Sequence, residues 1–177
     1  MTSDEKFEKA YNKLKEAEGG YTDGKNQFRD EPTNMGIKQT TLDNYASAHP
    51  EKYLPTNVKD LKPQQAKEIY KSMYWDNTKI PQIENNRIRN AMFDMGVMSG
   101  PVIPAKTLQQ TLNEQMGANL PQTGYLGNQT ITAVNSIPEN KIDDFMNALI
   151  KNRLKSLQKM PNWITAKNGW TRRTCAY

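Results

Sequence analysis

Glu18 stands where a charged helical pattern gives way to Gly19 and Gly20, inside the stretch EAEGGYTDGKNQFRDEPTNMGI that runs from Glu16 to Ile37. A carboxylate at the C-terminal end of a helix faces the negative pole of the macrodipole, which disfavours ionisation and raises its pKa. Partial burial beneath the glycines and the segment after them acts in the same direction. A carboxylic acid that keeps its proton near neutral pH is what glycoside cleavage needs to protonate a leaving oxygen, and the two glycines leave room beside it for a bulky polymer. The same spacing also describes a plain helix stop with an exposed glutamate. Tyr21, Tyr74 and Trp75 have ring faces that could pack on a pyranose, although Tyr70, Met73 and Tyr74 also recur at the spacing of a helix core.

The elements that must position these groups are mostly helical. Phe7, Ala10, Tyr11, Leu14 and Ala17 share one apolar face, with Ser3 or Asp4 as N-cap, so the spacing predicts a helix over residues 4–18 that Gly19 and Gly20 end. Tyr21 to Gly36 is rich in turn formers, and Asp23-Gly24 is a two-residue hairpin signal, so a short irregular hairpin is expected there. A short helix is expected from Thr41 to Ala48, stopped by His49-Pro50; Pro63 opens the next, and Pro81 closes that region. Ile88, Ala91, Met92, Met95 and Gly96 mark the most buried helix, ending at Ser99-Gly100-Pro101, with Gly96 and Gly100 read as allowing close packing. Further helices follow around Val102 to Leu112, Thr130 to Val134 and Ile142 to Leu157. The stretch from Met116 to Asn128 reads as the loosest connection, and Trp163 and Trp170 as residues that pin the C-terminal tail to the body. The fold class is mainly α.

The 177 residues suffice for one domain with a real core, 36% of them are hydrophobic, and no apolar run reaches the length of a membrane span. The N-terminus is charged and helical, so no standard secretory signal is expected. One cysteine, Cys175, and one histidine, His49, leave no zinc cluster and no cysteine-histidine pair, so metal and thiol chemistry are not expected, and acid-base hydrolysis by carboxylates would need no cofactor. The net charge of +5 and the pI near 9.2 favour an anionic partner such as nucleic acid, a membrane surface or an acidic wall polymer. Basic residues are spread along the chain and match no nucleic-acid-binding pattern.

The ordered set EGGY, PTNMGI, YKSMYW, FDMGVMSGP, LGNQT with AVN, and a closing NGW resembles the phage-type peptidoglycan hydrolases of glycoside hydrolase family 108, along nearly the whole chain. The resemblance implies a lysozyme-like helical fold with a short β-hairpin after the first helix. It also implies a catalytic lobe over residues 1–100 and a small helical peptidoglycan-binding-like lobe over 101–177, packed on the first as one compact unit. The glutamate of EGGY is the catalytic acid in that family, a role that falls on Glu18. The family pattern continues with an aspartate and a Gly-Gly pair, where this chain reads RDEPTNMGI. Asp30 is the first choice for a second carboxylate and Asp23 the second, while Gln27 stands at the spacing where related phage lysozymes place theirs. Thr33 matches the threonine that helps to hold the attacking water, since a hydroxyl accepts and donates at once.

The implied reaction is N-acetylmuramidase cleavage of peptidoglycan between N-acetylmuramic acid and N-acetylglucosamine. If Asp30 or Asp23 activates water opposite Glu18, displacement inverts the anomeric centre and requires the carboxyls roughly 6.5–9.5 Å apart. A single-acid site with water held by Thr33, and lytic transglycosylation by the sugar's own hydroxyl, stand beside it. So does a non-catalytic peptidoglycan-binding or secretion-accessory module on the same fold. Proteins of this resemblance serve as phage endolysins released by a holin or as muramidases that open the wall for a secretion system. They are made in the cytoplasm and act on the wall in the periplasm or outside the cell. Glycan strands, rather than nucleic acid or a membrane, are the expected partner.

Overall fold

A computed structural model describes residues 1–16, 19–25 and 31–177, with Thr165 described by its backbone alone. Glu18, Gln27 and Asp30 lie outside the described residues. Helix α1 spans Ser3–Lys15. The Thr2 hydroxyl accepts from the Glu5 N–H at 3.2 Å and the Glu5 carboxylate accepts from the Thr2 N–H at 2.7 Å. This reciprocal cap makes Thr2 the N-cap in place of Ser3 or Asp4. The buried stripe of Phe7, Ala10, Tyr11 and Leu14 is the one the spacing predicts. The helix stops at Lys15, with Glu16 as its C-cap, rather than at residue 18; Lys15 and Glu16 are exposed, and Ala17, the last expected member of the stripe, lies outside the described residues.

The hairpin forms further on than Asp23-Gly24. Strands β1 (Thr33–Asn34) and β2 (Ile37–Lys38) pair antiparallel, Thr33 opposite Lys38 and Asn34 opposite Ile37. Met35 and Gly36 between them have φ of 49° and 77°, the two positive values that a tight hairpin turn requires. At the expected turn, the Asp23 carboxylate instead accepts from the Lys25 N–H at 3.1 Å. Gly24, at φ 77°, passes so close to Glu31 that a Cβ would stand 2.4 Å from its carbonyl carbon. The chain then returns to pair Thr22 with Thr33 through backbone bonds of 2.8 and 2.9 Å. The hairpin is tied to its surroundings by its own motif residues. The Asn34 amide donates to the carbonyls of Val58 at 3.0 Å and Lys59 at 3.2 Å, and the Tyr70 hydroxyl donates to that of Met35 at 2.9 Å.

Helix α2 runs over Gln39–Ala48, and α3 over Pro63–Lys71 continues into a π-helical turn at Ser72–Asp76. Helix α4 (Asn86–Ser99) is capped by the Asn85 side chain, which accepts from the N–H groups of Arg87 and Ile88. Its buried Ile88, Ala91, Met92, Phe93 and Met95 belong to one hydrophobic cluster, to which α1 gives Phe7 and Leu14, α5 (Val102–Met116) gives Leu108 and Leu112, and α7 (Ile142–Gln158) gives Phe145 and Leu149. A Cβ on Gly96 would meet nothing within 4 Å, so close packing is not its reason; Gly100, at φ 72°, caps the end of α4. Short α6 (Asn128–Asn135) follows a connection that is pinned rather than loose. The buried Gln109 amide donates to the Tyr125 carbonyl at 2.8 Å, and Asn113 exchanges two hydrogen bonds with the Leu120 backbone. The tail read only as anchored by tryptophans is a helix, α8 (Trp163–Thr174). Among the described residues the architecture is helical with one small antiparallel sheet, as the fold class anticipates.

Candidate active site

A cleft of about 870 Å³ opens between the hairpin, the end of α1, the α3–π turn, the end of α4 and the inner face of α8. Lys13 and Glu16 come from α1 and its end, Thr33, Gly36, Ile37 and Lys38 from the hairpin, Tyr70 and Tyr74 from α3 and the π turn, and Val97 and Met98 from α4. The π turn explains how two adjacent aromatic residues part company: Tyr74 faces the cleft half-buried, while Trp75 enters the core with no exposed surface. Single π turns recur at functional sites because they re-aim side chains in this way. Burial raises the Tyr74 phenol above its ordinary value, so it stays a neutral donor.

Polar contacts from outside the cleft set its walls. Lys38, the N-cap residue of α2, makes no side-chain cap bond. Glu31 supplies the acceptor instead: its carboxylate takes the Thr40 N–H at 3.0 Å, the Thr40 hydroxyl at 3.1 Å and the Lys38 ammonium at 3.0 Å. Burial pushes the Glu31 carboxyl up, but these bonds outweigh it and hold it below the usual range. The backbone carbonyl of Glu31 accepts, at 3.4 Å, from the Thr33 hydroxyl. On the far wall, buried Asp94 of α4 accepts from Arg173 Nε of α8 at 2.8 Å and from the Tyr177 hydroxyl. Burial raises the Asp94 carboxyl despite Arg173, and Arg153 of α7, also buried beside it, is lowered by burial to about 10. Among the described residues no group of three or more His, Cys, Asp or Glu side chains could hold a metal ion.

Four of the motif pieces scattered along the chain thus meet at one cleft: PTNMGI is the hairpin, YKSMYW supplies Tyr70 and Tyr74, FDMGVM supplies Val97 and Met98, and NGW supplies Gly169 and Trp170. Residues 11–100 match the family model described as glycosyl hydrolase 108. The chain belongs to glycosyl hydrolase family 108. SagA of Brucella abortus, a solved structure, is similar at 29% identity, with 96% of this chain and 89% of that one covered and a TM-score of 0.75. No curated protein sequence matches. This family-108 chain is accordingly a glycoside hydrolase, and peptidoglycan is the polymer that the resemblance of its motifs implies.

Within the family-108 hydrolase the site residues expected from the sequence divide. Thr33 and Tyr74 line the cleft. Trp75 does not: its ring packs edge-on against Phe7 and Phe93, each at 5.5 Å, and its indole N–H donates to the Ser3 hydroxyl at 3.1 Å, so no face is left for a sugar. Tyr21 and Asp23 are not among the described residues that line the cleft; Tyr21 is 45% exposed under the Lys59 ammonium, and Asp23 closes its own turn. Sequence reasoning missed Trp170 as a cleft residue and Asp94, Arg173 and Tyr177 as the clasp of α8. The signal was present in Gly169, Trp170, Arg173, Ala176 and Tyr177, which recur at the spacing of one helical face. LGNQT and AVN have structural work elsewhere: Thr130 meets Gln109, and Asn135 bonds the backbone of Gln82 and Glu84.

Proposed function

We propose that the chain is an N-acetylmuramidase that cleaves peptidoglycan between N-acetylmuramic acid and N-acetylglucosamine, with Glu18 as general acid. The observation that carries this reading is the convergence of four of the family-like motif pieces on one cleft whose lining includes Glu16, two peptide bonds before Glu18. Gly19 and Gly20 follow, and a Cβ on either would meet none of the described residues within 4 Å, which suits the approach of a polymer. Glu18 protonates the bridging oxygen as the bond to the anomeric carbon breaks. Thr33, whose hydroxyl proton is directed to Glu31, keeps lone pairs free to accept from the attacking water. Tyr74 offers a neutral phenol to the glycan. With Asp23 engaged in its own turn, Asp30 is the carboxylate we assign to water activation, which gives inversion.

The departure from the family's Gly-Gly pair favours no second, non-catalytic reading, because Glu31 at that place has a structural task as the cap of α2. We further propose that residues 1–100 form the catalytic lobe and 101–177 a glycan-binding lobe. Action is on the wall outside the cytoplasm, after release by a holin or beside a secretion system, as an endolysin or a secretion-associated muramidase. Among the described residues no helix is long and apolar enough to cross a membrane. The test is mass spectrometry of borohydride-reduced digests of purified peptidoglycan. Reduced muramic acid ends support this reading, whereas reduced glucosamine ends or anhydro-muramic ends overturn the bond or the mechanism.

A further inference from the structure

Helix α8 and the three residues after it carry one face along the cleft, made by Gly169, Trp170, Arg173, Ala176 and Tyr177, with exposed Arg172 also in the lining. Arg173 and Tyr177 are engaged with Asp94 and fix the helix in place. Trp170 and Arg172 are not needed for that. Gly169 lies inside the helix, where glycine is a poor former, and a Cβ there would meet nothing within 4 Å. Packing among the described residues therefore does not require it, and it leaves open space in the lining beside Trp170. The charges of the lining are unbalanced. Lys13, Lys38, Arg172 and Arg173 stand there with Glu16. Lys38 is paired with Glu31 and Arg173 with Asp94, while among the described residues no carboxylate pairs with Arg172.

We propose that α8 is an acid-selecting wall, on which Trp170 lies against a sugar ring and Arg172 pairs with a carboxylate carried by the same glycan, so that acidic glycan is held in preference to neutral glycan. The proposal rests on the glycan cleft described above and adds a specificity to it. A guanidinium at the cleft edge presents a fork that matches a carboxylate, and in peptidoglycan the peptide substituents supply such groups.

The test uses purified peptidoglycan sacculi and the same sacculi with their carboxyls converted to neutral amides by carbodiimide and ethanolamine. Co-sedimentation of the full chain gives binding, and reducing-end release gives cleavage. Wild type should bind native sacculi about fivefold more tightly than neutralised ones, the scale of one partly exposed charge pair. Arg172→Ala should abolish that difference and Arg172→Lys restore part of it, while Lys151→Ala, an exposed cation on α7 outside the cleft lining, should keep it. Gly169→Phe should weaken binding of both forms with helical circular dichroism unchanged. Equal binding of the two forms by wild type, a full difference retained by Arg172→Ala, or its loss in Lys151→Ala would overturn the proposal. Cleavage of both forms without preference refutes the wall and leaves the hydrolase; preferential binding without cleavage does the reverse.

Discussion

Glu31→Gln removes one charge and little volume from the junction between the hairpin and α2. The carboxylate accepts two bonds from Thr40 and one from Lys38, at 3.0 to 3.1 Å, with the side chain 19% exposed. A cap acceptor contributes about 1 kcal/mol, a negative charge at a helix N-terminus about 0.5 kcal/mol and a partly exposed ion pair about 0.5 kcal/mol. Because glutamine keeps one acceptor oxygen, the expected loss is about 1 kcal/mol rather than the full 2, or roughly 3 °C in Tm for a chain of this size. The folded pKa of Glu31 is lowered, so its charge-dependent contribution is complete above the unfolded value of about 4.3 and is lost as pH falls through the folded value. Denaturant unfolding of wild type and variant from pH 7 down to pH 3 should show the gap closing across that window. A gap that is absent at pH 7, or that stays constant to pH 3, would refute the assignment of Glu31 as the cap.

Trp75→Ala should cost about 3–5 kcal/mol of stability, as a large buried aromatic does, whereas Trp75→Phe should leave kcat and KM of the folded enzyme within twofold; a selective rise in KM would return Trp75 to the substrate. Asp23→Asn should keep both its turn and the turnover of peptidoglycan, and a hundredfold fall in kcat would make it the second carboxylate. Asn34→Ala strands the carbonyls of Val58 and Lys59, for about 1–3 kcal/mol, with unfolding free energy as the check.

What could be read from the sequence followed the strength of the local signal. The stripe of α1, the stop of α2 before Pro50 and the start of α3 at Pro63 reproduce the expected helices because burial and backbone chemistry agree there. The capping box of Thr2 and Glu5 moved one boundary by a residue. The hairpin turn was misplaced because Asp23-Gly24 and Met35-Gly36 both offer glycine at positive φ, and only the approach of Gly24 to Glu31 tells them apart. Tyr74 and Trp75 both offer a ring face to a sugar in the sequence, and their fates diverge at a π turn, which leaves no periodic trace in so few residues. The clasp of Asp94 by Arg173 and Tyr177 joins positions far apart in the chain, and no local pattern reports such a pairing.

The most direct measurement compares wild type with Glu18→Gln on purified peptidoglycan, following reducing-end release at equal amounts of folded protein. General acid catalysis by Glu18 predicts a loss of about 10²–10⁴-fold in kcat for the variant, with sedimentation on sacculi unchanged. Equal turnover by the two proteins would contradict it.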